Sequence, residues 1–106
     1  MFCNNDLSYV DLGGGVKRRV LSYNDKIMAV EVAFARGAVG AMHSHPHVQI
    51  SYVLSGKFEA TVGKETKIMT VGDTYAVDEG VMHGVVCLED GVLLDVFSPM
   101  REDFIK

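Results

Sequence analysis

Three of the four histidines of this chain, His43, His45 and His47, fall within one five-residue segment, and the fourth, His83, stands far downstream. Neutral imidazole is the commonest protein ligand for metal ions, and a site needs several rings to converge on one point. His43 and His45 are two apart, and residues two apart in extended chain point to the same side. Gln49 shares that parity, and its side-chain oxygen can complete the set. His83 has to arrive from another strand. Pro46 interrupts strand geometry just before His47, so His47 is read as a neighbour of the site or a surface residue. The expected ligands are therefore His43, His45, Gln49 and His83, around a divalent transition metal. Such donors accept nickel, zinc, iron, manganese or copper. A histidine cluster without metal is the plainer alternative, and the glycine-flanked, distant His83 weighs against it.

This donor set carries no charge. A divalent ion held by imidazoles and an amide keeps its full positive charge, which favours anionic or carbonyl oxygen in its open positions and Lewis-acid chemistry. Higher iron oxidation states are less well supported without a carboxylate ligand, which argues against oxygen chemistry.

Two other residues stand out. Asp95 interrupts the apolar run Val92-Leu93-Leu94-Asp95-Val96-Phe97. A carboxylate there is costly to bury unless it is paired or placed at a cavity, where desolvation would raise its pKa and suit it to proton transfer. An Asp on the outer face of a strand is the equal alternative. Arg101 could clamp a carboxylate with its planar guanidinium, or it could be solvated or paired with neighbouring Glu102 and Asp103.

The elements that must position these residues read as short strands. Met28, Val30, Val32 and Phe34 share one parity against Ala29, Glu31, Ala33 and Ala35, the pattern of a strand with one large-residue face. Further strands are expected over 16–22, 48–54, 57–62, 67–71, 74–77, 83–88 and 92–98. Ser55-Gly56 closes one of them, and Glu89-Asp90-Gly91 signals a hairpin between the last two. Residues 1–15, ending in Gly13-Gly14-Gly15, read as an N-terminal arm with a flexible joint, and 16–106 as one domain. Met100 to Phe104 can form one helical turn. No stretch shows sustained helical periodicity, so the fold class is all-β, a sandwich or barrel.

Composition narrows the function classes. At 106 residues with 48% apolar content, the chain can build one core. The net charge of −4 gives no footprint for nucleic acid or an anionic membrane. Lys17-Arg18-Arg19 reads as the solvent face of a strand. No apolar run approaches the roughly 20 residues that span a bilayer. Cys3 and Cys87 do not suggest a disulfide framework, and with no signal-peptide pattern a cytoplasmic location is expected.

Two segments carry a resemblance. Gly37, His43-x-His45, Gln49 and Gly56 are spaced like the first cupin motif, and Gly72, Gly80 and His83 like the second. The cupin resemblance implies a double-stranded β-helix (jelly-roll) barrel, often paired into homodimers. The chain departs from the pattern at Gln49, where Glu is usual, at Asp78, where Pro is usual, and at Cys87, where Asn is frequent. The segment His-Ser-His-Pro-His-Val-Gln and the tail Gly91 to Phe104 resemble the small pectin-degradation cupins of the KdgF type. That resemblance implies a His/Gln-held divalent metal, pocket roles for Asp95, Phe97 and Arg101, and conversion of cyclic 4,5-unsaturated uronates to linear keto acids. The partner it implies is a small anionic sugar. The alternatives are a cupin dioxygenase and a non-catalytic small-molecule binding or sensor module. Ile50, Tyr52 and Leu54 mark an apolar face that suits either a dimer or packing within the barrel.

Overall fold

The structure is a computed structural model and describes residues 1–4 and 8–105, so residues 5–7 of the expected arm, and Lys106, lie outside the described residues. Among the described residues there are eight strands and one 3-10 turn: β1 (Val10–Gly13), β2 (Val16–Asn24), β3 (Ile27–Phe34), β4 (Val39–His43), β5 (Val48–Val62), β6 (Glu65–Met69), β7 (Thr74–Val77), β8 (His83–Ser98) and the turn Glu102–Phe104. All pairings are antiparallel.

The two long strands β5 and β8 pair along nearly their whole length, from Val48↔Ser98 to Val62↔His83. The first half of β5 and the second half of β8 carry β7 on one side and β3, β2 and β1 on the other. The remaining halves carry β6 and β4. One hydrogen-bonded sheet is thereby folded over itself into two layers. Its edges do not join, so the jelly roll is an open sheet curled round a core. Phe34, Val53, Phe58, Ala60, Met69, Val85, Cys87 and Leu93 fill one half of the space between the layers. Phe34 and Phe58 meet edge to face at 5.3 Å. Met28, Val30 and Phe97 form a smaller cluster toward the other half, where the histidines lie.

Four expectations differ from the structure. Ser55-Gly56 and Glu89-Asp90-Gly91 are not ends of strands but the corner at which β5 and β8 bend from one layer into the other. The register between the two strands shifts at Val53/Ser55, Ser55/Lys57 and Lys57/Phe58. The backbones pass so close that a Cβ on Gly56 would collide with the Asp90 carbonyl, and one on Gly91 with the Ser55 carbonyl. Turn-type residues serve close approach here, which is a different use of the same chemistry. Second, Val10–Gly13 form β1 and its hairpin with β2 inside the stretch expected to be an arm. Third, β4 was not expected, because Gly40 and Ala41 break up its apolar alternation. Fourth, Lys17-Arg18-Arg19 is not one solvent face. Arg19 pairs with Glu31 at 2.6 Å on the outside, while Arg18 shares the inward parity of Val16 and Val20.

The corner supports a stability prediction. Gly56 has φ +80° as well as no room for a side chain. Gly56→Ala is expected to cost on the order of 2–4 kcal/mol in denaturant unfolding. Gly63→Ala, at φ +60° with its nearest atom at an ordinary 3.7 Å, should cost roughly 1 kcal/mol. Equal losses at the two positions would show that the corner is not tightly packed.

Candidate metal centre

β4 ends in His43 and β8 begins with His83, and the two are register partners. His45 follows in the connection to β5, whose backbone carbonyl accepts from Gly80 N–H at 2.9 Å. Ligand atoms of His43, His45 and His83 all lie within 4.8 Å of one another. His45 and His83 are buried, and His43 is exposed at the mouth.

Each ring is oriented by its own neighbourhood. His43 Nδ1 bonds Ala41 O at 2.8 Å, His45 Nδ1 bonds His47 O at 3.0 Å, and His83 Nδ1 bonds Val81 O at 2.9 Å. A carbonyl only accepts, so each Nδ1 carries the proton and each Nε2 presents its lone pair. Burial pushes His45 and His83 below the usual imidazole range, which keeps the rings neutral at pH 7. His83 Nε2 is buried with no hydrogen-bond partner among the described residues. That orphaned lone pair, aimed among two others, fits a metal cation.

Gln49 adds a second sign that the site fits a cation. Polar Gln49 and Ser51 point inward from β5 while Ile50, Tyr52 and Leu54 point out, an inversion of the usual sheet pattern. Ser51 Oγ donates to Asp95 Oδ1 at 2.6 Å and accepts from Gln49 Nε2 at 2.8 Å. With its single proton committed to the carboxylate, Ser51 fixes the amide so that Gln49 Oε1 faces His45 Nε2 at 3.0 Å. Two acceptors at that distance repel unless a positive centre lies between them. The chain Asp95–Ser51–Gln49 thus turns an amide oxygen toward the histidines.

Asp95 lies on β8 opposite Val30 on one side and Ser51 on the other. Burial pushes its carboxyl from the ordinary 3.8 to about 6, against the opposing pull of the Ser51 hydrogen bond and the Arg101 charge. Phe97, two residues on, meets His45 edge to face at 5.7 Å. Arg101 grips Asp103 with Nε and Nη2 at 3.1 and 2.8 Å and stacks over Phe97 and Phe104. His43, Gln49, His83, Asp95, Phe97 and Arg101 all border one cavity of about 280 Å³. His47 stands outside the cluster and contributes its backbone carbonyl, while Cys87 is buried in the core away from the cavity.

Three residues of the site, two lining the cavity and Ser51 behind it, escaped the sequence reading. Ser51 and Tyr75 face each other across β5 and β7. Burial, and then the nearby Asp95 charge, holds the Tyr75 phenol protonated. Arg18 lines the cavity from β2. Strand parity was the available signal for all three, since each sits in step with the large inward residues of its own strand or with Gln49.

The comparisons with known proteins show the family and the fold. Residues 30–97 match the family described as the cupin domain. The pectin degradation protein KdgF of Dickeya dadantii (strain 3937) is 44% identical over 106 residues, 98% of this chain and 96% of that protein. The crystal structure of an RmlC-like cupin from Shewanella frigidimarina NCIMB 400 superposes with a TM-score of 0.93 at 44% identity, over 96% of this chain and 92% of that one. The structure of KdgF from Halomonas sp. gives 0.94 at 39% identity, over 97% and 96%. No helix among the described residues is long and apolar enough to cross a membrane. This chain belongs to the cupin family, in the group that includes the pectin degradation protein KdgF.

Proposed function

We propose that this protein converts cyclic 4,5-unsaturated uronates, the sugar acids released when pectin or alginate is cleaved, to their linear keto forms. The observation that carries the reading is Asp95, a buried carboxyl pushed up to about 6, on the cavity that His43 and His83 border, where their ligand atoms converge with that of His45. The 44% identity to a protein named for pectin degradation supports the substrate class. His43, His45 and His83, with Gln49 through Oε1, would hold a divalent transition metal. When bound, that ion supplies Lewis acidity toward the oxygen atoms of the sugar.

The chemistry left to the chain is the movement of one proton, taken up and then returned. Ring opening removes the proton of the hemiacetal hydroxyl, breaks the ring carbon–oxygen bond and leaves an aldehyde and an enolate. Returning a proton to the former alkene carbon C4 makes the ketone. Nothing is gained or lost, so the reaction is an isomerisation. Asp95 takes the first proton as carboxylate and returns it as acid, a role that a pKa near the working pH favours. The Ser51 hydrogen bond holds Asp95 in place. Phe97 packs against the sugar, and Arg101 offers the part of its guanidinium not held by Asp103. Pairing of two copies across the exposed Ile50, Tyr52 and Leu54 face belongs to the same reading.

The test follows the ultraviolet absorbance of the conjugated double bond in 4,5-unsaturated galacturonate, with metal content measured on the same preparation. Loss of absorbance faster than the spontaneous rate is expected. A metal-loaded protein that leaves the rate unchanged would refute the assignment.

A further inference from the structure

Arg18 sits on β2 between Val16 and Val20, opposite Val32 on β3. Those three neighbours pack against the interior clusters, so strand alternation turns Arg18 inward as well. Its guanidinium lies 3.8 Å from the centroid of the Phe104 ring, and that of Arg101 lies 4.2 Å from the same ring. Both arginines border the cavity that holds His43, Gln49, His83 and Asp95.

The two cations are not equivalent. Arg101 is neutralised by a two-point ion pair with Asp103. Arg18 makes no hydrogen bond or ion pair among the described residues. Burial and the neighbouring Arg101 both disfavour its charge, and Asp103 offsets this only in part. A half-buried guanidinium without a counter-ion costs free energy, and that cost is relieved when an anion arrives. Contact with the Phe104 ring restricts the guanidinium, whose planar fork matches a carboxylate. The cavity, about 280 Å³, lies just below the roughly 300–1,000 Å³ of pockets for larger ligands, which suits a single sugar ring.

We propose that Arg18 is the residue that selects an anionic sugar in this cavity, by pairing with its carboxylate. The ligand's identity as a uronate rests on the function proposed above, whereas the selection for a carboxylate rests on Arg18 itself. The test compares wild type with Arg18→Met, which keeps the apolar stem over Phe104, and with Arg18→Lys. Arg18→Gln replaces the first variant if it fails to fold. Turnover of 4,5-unsaturated galacturonate is measured alongside calorimetric titration with D-galacturonate and with its neutral counterpart D-galactose. Loss of a charge-assisted pair should raise KM about 10- to 100-fold, with a much smaller change in kcat. It should also abolish the preference for galacturonate over galactose, and Arg18→Lys should recover part of both. Metal content should stay near wild type, and the melting temperature of Arg18→Met should be at or above it. If the wild type turns the substrate over and Arg18→Met keeps its KM, the Arg18 proposal is overturned while the uronate reading stands. If the wild type shows no turnover, the uronate reading fails and the titration decides. A galacturonate preference lost in Arg18→Met supports selection by Arg18, and a preference that is absent or unaffected overturns it.

Discussion

Asp95→Asn is expected to lower turnover of 4,5-unsaturated galacturonate by about 10²- to 10⁴-fold, the usual contribution of a positioned proton-transfer group. The substitution is nearly isosteric, and the amide oxygen can still accept from Ser51, so Gln49 and the histidines should keep their orientation. Metal content should therefore be unchanged, which separates a lost acid–base group from a lost site. A second readout has the opposite sign. Because the folded carboxyl titrates near 6 rather than 3.8, its ionised form opposes folding. The cost is absent below pH 3.8, grows between 3.8 and 6, and is complete above 6. At about 1.4 kcal/mol per pKa unit, the metal-free Asn variant should gain up to about 3 kcal/mol over metal-free wild type at pH 8 and little at pH 4. Function and stability would then conflict at one carboxyl, as they do where a site is strained for chemistry. Unchanged turnover would remove Asp95 from the mechanism.

Removal of the metal should have the largest effect of all. A chelator is expected to reduce turnover to the spontaneous rate, and adding back a divalent transition metal should restore it. His83→Ala should reproduce the loss without recovery, since it deletes the ring whose buried Nε2 has no partner of its own. Stability should follow. An ion present at a thousand times its dissociation constant stabilises the fold by about 4 kcal/mol, so chelation should lower the melting temperature by roughly 15 °C or more. Full turnover from a preparation shown to be metal-free would refute the centre.

The histidine spacing was legible because a two-residue repeat in extended chain leaves little freedom, and His43 and His45 do converge with His83. The strand alternation of β3 was legible for the same reason, since both of its faces carry consistent residue sizes. The bends were not. Ser55-Gly56 and Glu89-Asp90-Gly91 carry the same residues whether a chain reverses or two backbones merely crowd, and only the partner strand decides between these. Arg18 was misread because a run of three cations suggests water, although alternation sends the middle one the other way. Asp95 and Arg101 each had two open readings. Burial against Ser51 decided the first in favour of the cavity. The second proved to be both things at once, since Arg101 pairs with Asp103 and still borders the cavity.

The position of β8 also has a bearing on how the protein is made. This strand is central in the sheet, hydrogen-bonded to β3, β4 and β5, yet it is the last of the eight to leave the ribosome. Until residues 83–98 emerge, β3 and β4 lack a partner, β5 lacks its longest one, and three exposed edges are offered to any neighbouring chain. Folding must wait for translation to run nearly to the end of the sequence given, and its contacts then form between residues far apart along the chain. Both conditions slow folding and lengthen the interval in which nascent chains can aggregate. The same late strand supplies His83 and Asp95, so the site is complete only once β8 has joined the sheet.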